Sequence, residues 1–123
     1  ADSLARLNAI THPRVAARSA ELLAAAPNGA LLVYDMPLLV EQGPEALLGW
    51  DAIVVVDASD GVRLERLRAR GMGADDARRR MDAQASREDR LAVATVILDN
   101  SGDVAALEEQ VGHLWEDLRR QRT

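Results

Sequence analysis

The chain has 123 residues, a formal net charge of −5 and no cysteine. This length predicts a single domain with its own core, and the absence of cysteine excludes disulfides and thiolate chemistry and favours a reducing, cytoplasmic setting. No apolar stretch approaches the roughly 20 residues of a membrane span, so we expect a soluble protein without a membrane partner.

The basic residues are all arginine, and their distribution is uneven. Residues 63–90 contain nine arginines against six acids, a local charge of +3, whereas the rest of the chain carries −8. One arginine-rich stretch in an acidic protein favours a small anionic ligand over nucleic acid, which usually meets a basic face across a whole domain. The alternative is a solvated helix with alternating charges.

The amino-terminal third predicts two helices and a strand. Ser3 can cap a first helix that ends at His12-Pro13, because proline cannot donate the helical hydrogen bond. A second helix then follows over about 13–26. Residues 30–34, ALLVY, predict a fully buried strand after a Pro-Asn-Gly turn signal.

Two further strands are predicted at 52–56 and 95–98. All three strands are continuous aliphatic runs without alternation, which indicates burial on both faces, as in a parallel sheet covered by helices. Ligands in such sheets bind at the carboxyl ends of the strands. The segments that follow the strands are polar and turn-rich, and they predict a ligand crevice: Asp35–Glu41, Asp57–Gly61 and Asp99–Gly102.

Helical segments separate the later strands, with predicted ranges of 60–70, 74–84, 87–94 and about 103–121. Ser59 and Ser86 are suited to cap the first and third of these helices. The last helix has an apolar stripe that predicts core packing. Alternating strands and helices predict an α/β fold, in the form of a three-layer α/β/α sandwich around a parallel sheet with right-handed crossovers.

Four stretches together resemble the dephospho-coenzyme A kinase family: LNAITHP, VYDMPLLVEQG, VVVDASDGVRLERLRAR and AQASREDRLAVATVILDNSG. They cover nearly the whole chain in the right order. The resemblance implies a P-loop NTPase-like kinase of the nucleoside-monophosphate-kinase type. Such a kinase uses ATP and Mg²⁺ to phosphorylate the ribose 3′-hydroxyl of dephospho-CoA, the last step of coenzyme A synthesis.

The chain departs from this family at the phosphate-binding loop. The family's glycine-rich loop ends in Gly-Lys-Ser or Gly-Lys-Thr, and an aspartate that serves as general base follows it. The 123 residues contain no lysine and no glycine pair with that spacing. Thr95 also stands where the family commonly has an acidic residue. We therefore expect the carboxyl-terminal part of a kinase domain that is inactive alone, without the P-loop strand and helix.

Within this partial kinase domain, we expect residues 1–50 to form the substrate side and residues 51–123 the nucleotide and lid side. Arg66 and Arg70 are four residues apart on one helix face, so their guanidinium groups can converge on one phosphate chain. Arg66 matches the family's lid arginine, which implies a catalytic role at the ATP phosphates. The alternative is a surface pair of Arg66 with Glu65.

The predicted lid spans about 71–86. Three consecutive arginines, residues 78–80, precede Gln84 there, and at most one or two of them can face one ligand. We assign Arg80 and Gln84 to the ATP-binding set. Asn100 matches the family position beside the adenine, and its amide offers the donor and the acceptor that reading a base edge needs. The alternative for Asn100 is a turn residue ahead of Ser101-Gly102.

Six residues match or adjoin the family's substrate side: Asp35, Pro37, Leu38, Leu39, Glu41 and His12. A loop or helix-capping role is the alternative for Asp35, and a helix-start role is the alternative for His12. No metal ligand is assigned in the chain. At the level of function, the alternatives to a kinase are a non-catalytic nucleotide- or CoA-binding module and a domain with an interaction role only.

Overall fold

The computed structural model describes residues 2–121, which fall into two compact units that divide between Met36 and Pro37. The first unit contains one helix, α1 (Asp2–Ala24). The elements of the second unit, in chain order, are two short 3₁₀ helices (Val40–Gln42 and Pro44–Leu47), β1 (Val54–Asp57), α2 (Asp60–Ala69), α3 (Ala74–Asp82), α4 (Arg87–Ala92), β2 (Val96–Asp99) and α5 (Val104–Arg120).

Helix α1 runs without a break through Pro13, so the predicted interruption at His12-Pro13 is wrong. A proline inside a helix removes one backbone hydrogen bond, while the bonds of the flanking turns remain available. In the turn before Pro13, the Thr11 hydroxyl donates to the Leu7 carbonyl at 3.0 Å. The two predicted helices are therefore one helix of 23 residues.

The predicted strand at 30–34 is also wrong, because these residues have no regular secondary structure. Leu32 and Val33 expose 50% and 85% of their surface. Tyr34 is tethered to α1, since its hydroxyl lies 3.0 Å from the Ser19 hydroxyl. An aliphatic run becomes a strand only when a neighbouring strand accepts its backbone hydrogen bonds, and no strand pairs with this segment within residues 2–121.

The sheet of the second unit consists of β1 and β2, which pair in parallel from Val54 opposite Val96 to Asp57 opposite Asp99. Thr95 fixes the start of this pair, because its hydroxyl accepts from the Ile53 amide at 2.8 Å and donates to the Ile53 carbonyl at 3.1 Å. The strands predicted at 52–56 and 95–98 form within two residues of those limits. Parallel strands joined through helices confirm the predicted α/β fold class.

The helices that flank the sheet begin at side-chain caps. The Ser59 hydroxyl accepts from the Val62 amide at the start of α2. The Ser86 hydroxyl accepts from the Asp89 amide at 3.0 Å and donates to the Asp89 carboxylate at 2.6 Å, which opens α4. Both caps are at the predicted positions, and each side chain satisfies an amide that the first helical turn leaves without a partner.

Helix α5 packs on β2, but only part of its predicted apolar stripe is covered. Its leucines are half-buried, whereas Val104 and Trp115 expose 70% and 48% of their surface. A sheet of two strands is too narrow to cover the whole stripe. Four residues are buried in the described part of the chain: Asp57, Ala58, Ala77 and Leu98. Within residues 2–121, no helix is long and apolar enough to cross a bilayer.

Candidate functional site

The carboxyl ends of β1 and β2 lie side by side, as the parallel pairing requires. Asp57 is opposite Asp99, and the backbone N–H of Asn100 donates to the Asp57 carbonyl at 2.7 Å. Two of the three predicted polar segments, Asp57–Gly61 and Asp99–Gly102, therefore meet at one edge of the sheet. This edge is the natural position for a ligand in a parallel α/β fold.

Arg66 joins α2 to the turn after β2. Its guanidinium donates to the carbonyls of Asn100 at 2.6 Å and Gly102 at 3.0 Å. The structure thus brings together Arg66 and Asn100, which sequence reasoning had assigned to phosphate and adenine. Arg70 is exposed and occupies the carboxyl-terminal cap position of α2. The phosphate roles of both arginines remain predictions.

Two further sets of hydrogen bonds stabilise the turn Asp99–Gly102, one within the turn and one from α5. The Ser101 amide donates to the Asp99 carboxylate at 2.8 Å, and hydrogen bonds from Ser101 lower the pKa of Asp99 below its ordinary value. The Gln110 side chain accepts from the Asp99 amide at 2.8 Å and donates to the Asp99 carbonyl at 2.9 Å. Arg66 and Gln110 therefore hold this turn from two different helices.

Sequence reasoning missed Gln110, although a signal was present. Gln110 follows Leu107 by three residues and precedes Leu114 by four, so it lies on the half-buried face of α5. A polar side chain beside the leucines of a packed helix face lies close to the strand below, where it can bind backbone groups. Here the partners are the backbone groups of Asp99.

An ion pair between Asp57 and Arg87 closes the same edge. Asp57, at the end of β1, is 7% exposed and accepts three hydrogen bonds of 2.6–3.1 Å from Arg87, the first residue of α4. Hydrogen bonding from Arg87 lowers the pKa of Asp57, and the same contact raises the pKa of Arg87. A carboxylate at a buried strand end signals such a pair, but the sequence does not show which arginine completes it.

The residues Gln84 and Ala85, at the end of the predicted lid, are held from two sides. Arg63 of α2 donates to the Gln84 amide oxygen at 2.9 Å and to Asp60 at 3.0 Å. The Glu41 carboxylate accepts from the Ala85 amide at 2.7 Å. Glu41, which sequence reasoning placed on the substrate side, therefore binds the residue next to Gln84, which it placed on the nucleotide side.

The three lid arginines differ in their surroundings. Arg78 lies 3.8 Å from Asp75, and Arg79 pairs with Asp76, so α3 itself neutralises two of the three charges. Arg80 is exposed and forms no ion pair within residues 2–121. Of the three, Arg80 is therefore the arginine whose charge is most available to an anionic ligand.

The remaining predicted site residues are distributed over both units. His12 and Asp35 are exposed residues of the first unit. Pro37, Leu38 and Leu39 belong to the second unit, immediately before the first 3₁₀ helix. Within residues 2–121, no cluster of three or more His, Asp or Glu side chains has the arrangement that holds a metal ion.

Parallel strands with polar loops at their carboxyl ends define the class of α/β proteins with a parallel sheet, in which ligands bind at this edge. The comparison with known families is more specific. The family model described as CoaE, dephospho-CoA kinase, matches residues 1–106. The chain belongs to the dephospho-CoA kinase family.

Curated relatives with the same name are similar over most of the chain. The dephospho-CoA kinase of Streptomyces avermitilis is 52% identical over 118 residues, which are 95% of this chain and 57% of the relative. The Thermobifida fusca enzyme is 49% identical and is covered to 58%. In Mycolicibacterium paratuberculosis, the match is 48% identical and covers 29% of the relative. The chain therefore spans little more than half the length of the first two relatives.

Proposed function

We propose that this chain supplies the lid, adenine and part of the substrate side of a dephospho-CoA kinase, which transfers the γ-phosphoryl group of ATP to the ribose 3′-hydroxyl of dephospho-CoA. The observation that carries this proposal is the attachment of Arg66 to the Asn100–Gly102 turn. It joins the two residues that the family pattern assigns to phosphate and adenine. The names of the relatives supply the reaction.

The arginines of α2 and α3 would act at the phosphates. Phosphoryl transfer depends mainly on positioning and on stabilisation of charge on the transferring group. Arg66 and Arg70 serve as the catalytic arginines in this proposal, and Arg80 approaches when the lid closes. The two bonds of Arg66 to backbone carbonyls leave further N–H groups of its guanidinium for a phosphate oxygen, because arginine carries five donors.

Asn100 and Gln84 would contact the nucleotide at opposite ends of this arrangement. Asn100 is half-buried, and its amide can pair with a base edge through one donor and one acceptor. Gln84 is held by Arg63 beside the end of the lid. On the substrate side, Glu41 anchors the segment after Gln84 through the Ala85 amide. Its neighbours in the family's substrate motif are Pro37, Leu38 and Leu39, and His12 and Asp35 complete the proposed set.

ATP enters with Mg²⁺ in this proposal. Magnesium in such sites keeps several waters and is bound by one or two carboxylates and the substrate phosphates, not by a protein cage. Bound Mg²⁺ would supply charge neutralisation at the phosphates. The use of ATP and the absence of cysteine support a cytoplasmic location.

The protein expressed from its complete gene tests the proposal. Purified protein incubated with ATP, Mg²⁺ and dephospho-CoA should produce CoA and ADP in equal amounts. Omission of dephospho-CoA should abolish ADP formation above the background rate. A protein that hydrolyses ATP equally fast without dephospho-CoA would contradict the proposed acceptor.

A non-catalytic nucleotide- or CoA-binding module is the second candidate. The absence of lysine from the 123 residues favours it, because a phosphate loop of the family's type needs that side chain. Thermal unfolding with ATP or CoA separates the candidates from a domain with an interaction role only. Stabilisation by either ligand without turnover supports the binding module, and no stabilisation supports the interaction domain.

A further inference from the structure

The Gln110 amide replaces a neighbouring strand at the outer edge of β2. The backbone N–H of Asn100 points toward β1, where it donates to the Asp57 carbonyl. The backbone N–H and C=O of Asp99, one residue earlier, point to the opposite edge of β2. Among the described residues, no strand pairs with them there. There Gln110 accepts from the Asp99 amide at 2.8 Å and donates to the Asp99 carbonyl at 2.9 Å.

Gln110 is itself held in place. Its amide nitrogen also donates to the Ala106 carbonyl at 3.1 Å, which is one turn earlier on α5. That helix is capped by Asp103, whose carboxylate accepts from the Ala106 amide at 2.9 Å. The Gln110 side chain therefore connects the turn after β2 to a capped helix, and its three hydrogen bonds all go to backbone groups of the protein. These bonds fix the backbone of the turn on that side.

Arg66 fixes the other side of the same turn by binding the carbonyls of Asn100 and Gly102. Between these two attachments lies the Asn100 side chain, which is half-buried and has no hydrogen-bond partner in the described part of the chain. An amide distinguishes ligands only when its oxygen and nitrogen face defined directions, because one accepts and the other donates. A backbone held on both sides sets those directions before a ligand binds.

We propose that Gln110 is a positioning residue for nucleotide recognition: by holding the Asp99 backbone, it aims the Asn100 amide at the base of the bound nucleotide. This inference rests on the proposed function, which places the nucleotide at this edge. Gln110 touches no ligand itself. Its loss should therefore change the discrimination between bases through Asn100.

The test compares the binding of ATP and GTP by calorimetry in the protein expressed from its complete gene. Gln110→Leu keeps the size of the side chain and removes both bonds to Asp99. Loss of this positioning should weaken the one or two hydrogen bonds between the Asn100 side chain and the base. We therefore expect ATP binding to weaken by about tenfold and the preference for ATP over GTP to fall. Gln110→Ala also removes both bonds to Asp99 and suits a helix, so it serves if the leucine variant does not fold.

The matched control is Glu109→Leu, at the adjacent, exposed position of α5, which should bind both nucleotides as the unmodified protein does. A double-mutant cycle gives the decisive result. In an Asn100→Ala background, Gln110→Leu should have little further effect on ATP binding, because the group that Gln110 aims is gone.

Equal weakening of ATP and GTP, or an undiminished effect in the Asn100→Ala background, would assign Gln110 a merely structural role and overturn the inference. Equal affinities of the unmodified protein for ATP and GTP would also overturn it. Phosphorylation of dephospho-CoA is measured separately on the unmodified protein. Absence of that transfer overturns the proposed function, while the binding data still decide the role of Gln110.

Discussion

The turn Asp99–Gly102 and the helix α3 are both assigned to nucleotide binding, yet they are built differently. The turn is fixed from two helices by Arg66 and Gln110. Helix α3 carries three exposed arginines, two of which pair with acids of its own first turn, and its single buried residue among those described is Ala77. In the proposed kinase, the base would therefore be read by the part held from two helices, and the phosphates would be enclosed by the part with fewer buried contacts.

The largest expected effect concerns the 123-residue chain alone. Neither the turn nor α3 can replace the amide groups and lysine of a phosphate loop, and the chain contains no lysine. We expect conversion of dephospho-CoA to CoA below the detection limit in a coupled assay with ATP and Mg²⁺. ATP-dependent formation of CoA by this chain on its own would show that other residues can bind and activate the phosphates.

The second prediction sets Arg66 against Arg119 in the complete protein. Arg66→Ala removes a predicted phosphate contact and the two bonds to the turn, so we expect kcat/KM to fall by about 10³-fold. Arg119 lies in the last turn of α5, is largely exposed and approaches Glu116 at 3.9 Å. Arg119→Ala should change kcat/KM by less than about twofold, as is usual for exposed ion pairs.

Arg66→Lys gives a sharper version of this test, because a lysine cannot bind two carbonyls with the geometry of a guanidinium. Steady-state kinetics with varied ATP would measure its effect. Similar losses for the alanine variants of Arg66 and Arg119 would refute the catalytic assignment of Arg66.

The third prediction concerns the contribution of the Asp57–Arg87 pair to the stability of the folded protein. Asp57→Asn leaves Arg87 without its charged partner and should lower the Tm at pH 7 by about 5 °C. The pair lowers the pKa of Asp57 in the folded state. Its stabilisation is therefore fully present above the ordinary carboxyl pKa of about 4 and is lost as the pH falls through the lowered value.

Thermal unfolding of Asp57→Asn and the unmodified protein at pH 3 to 7 would measure this dependence. The Tm difference should be constant from pH 7 to 5 and should shrink below about pH 4. The control is Asp75→Asn in α3, where the acid is 85% exposed and 3.8 Å from Arg78. Its Tm should hardly change. A larger effect at Asp75 than at Asp57 would reverse the comparison of the two regions.

The sequence identified the parts of the fold that depend on local signals. The valine run of β1 and the serine caps before α2 and α4 were predictable because each acts within a few residues. Residues 30–34 have the same aliphatic character, but a strand also requires a partner, which local composition cannot show.

The candidate site divides in the same way. The carboxyl-end rule for parallel sheets predicted that the segments after β1 and β2 would meet, and the family resemblance selected Asn100 within the second segment. The bonds that organise this edge join residues far apart in the chain: Arg66 to Asn100, Gln110 to Asp99 and Arg87 to Asp57. No spacing rule encodes these pairs, since each depends on how helices pack on the sheet.

The last prediction concerns residues 71–86, which we expect to be the most mobile internal segment of the second unit. Gly71, after α2, has a φ of 85°, a conformation that glycine adopts without strain and that gives the segment a hinge. Helix α3 buries little surface, so its local opening should cost little. A lid must open to admit ATP and close to exclude water from the transferring group.

Hydrogen exchange of the complete protein would test this expectation. Without ligand, amides in residues 74–82 should exchange at least about tenfold faster than those of Val56 and Leu98 in the sheet. An ATP analogue with dephospho-CoA should slow exchange in α3 several-fold, because a lid closed over the phosphates opens less often, and should leave the turn Asp99–Gly102 nearly unchanged. Protection of α3 in the free protein, or a larger change in the turn than in α3, would contradict the assignment of α3 as the mobile lid and the turn as the rigid part. The arginines of α3 would then form a solvated helix face.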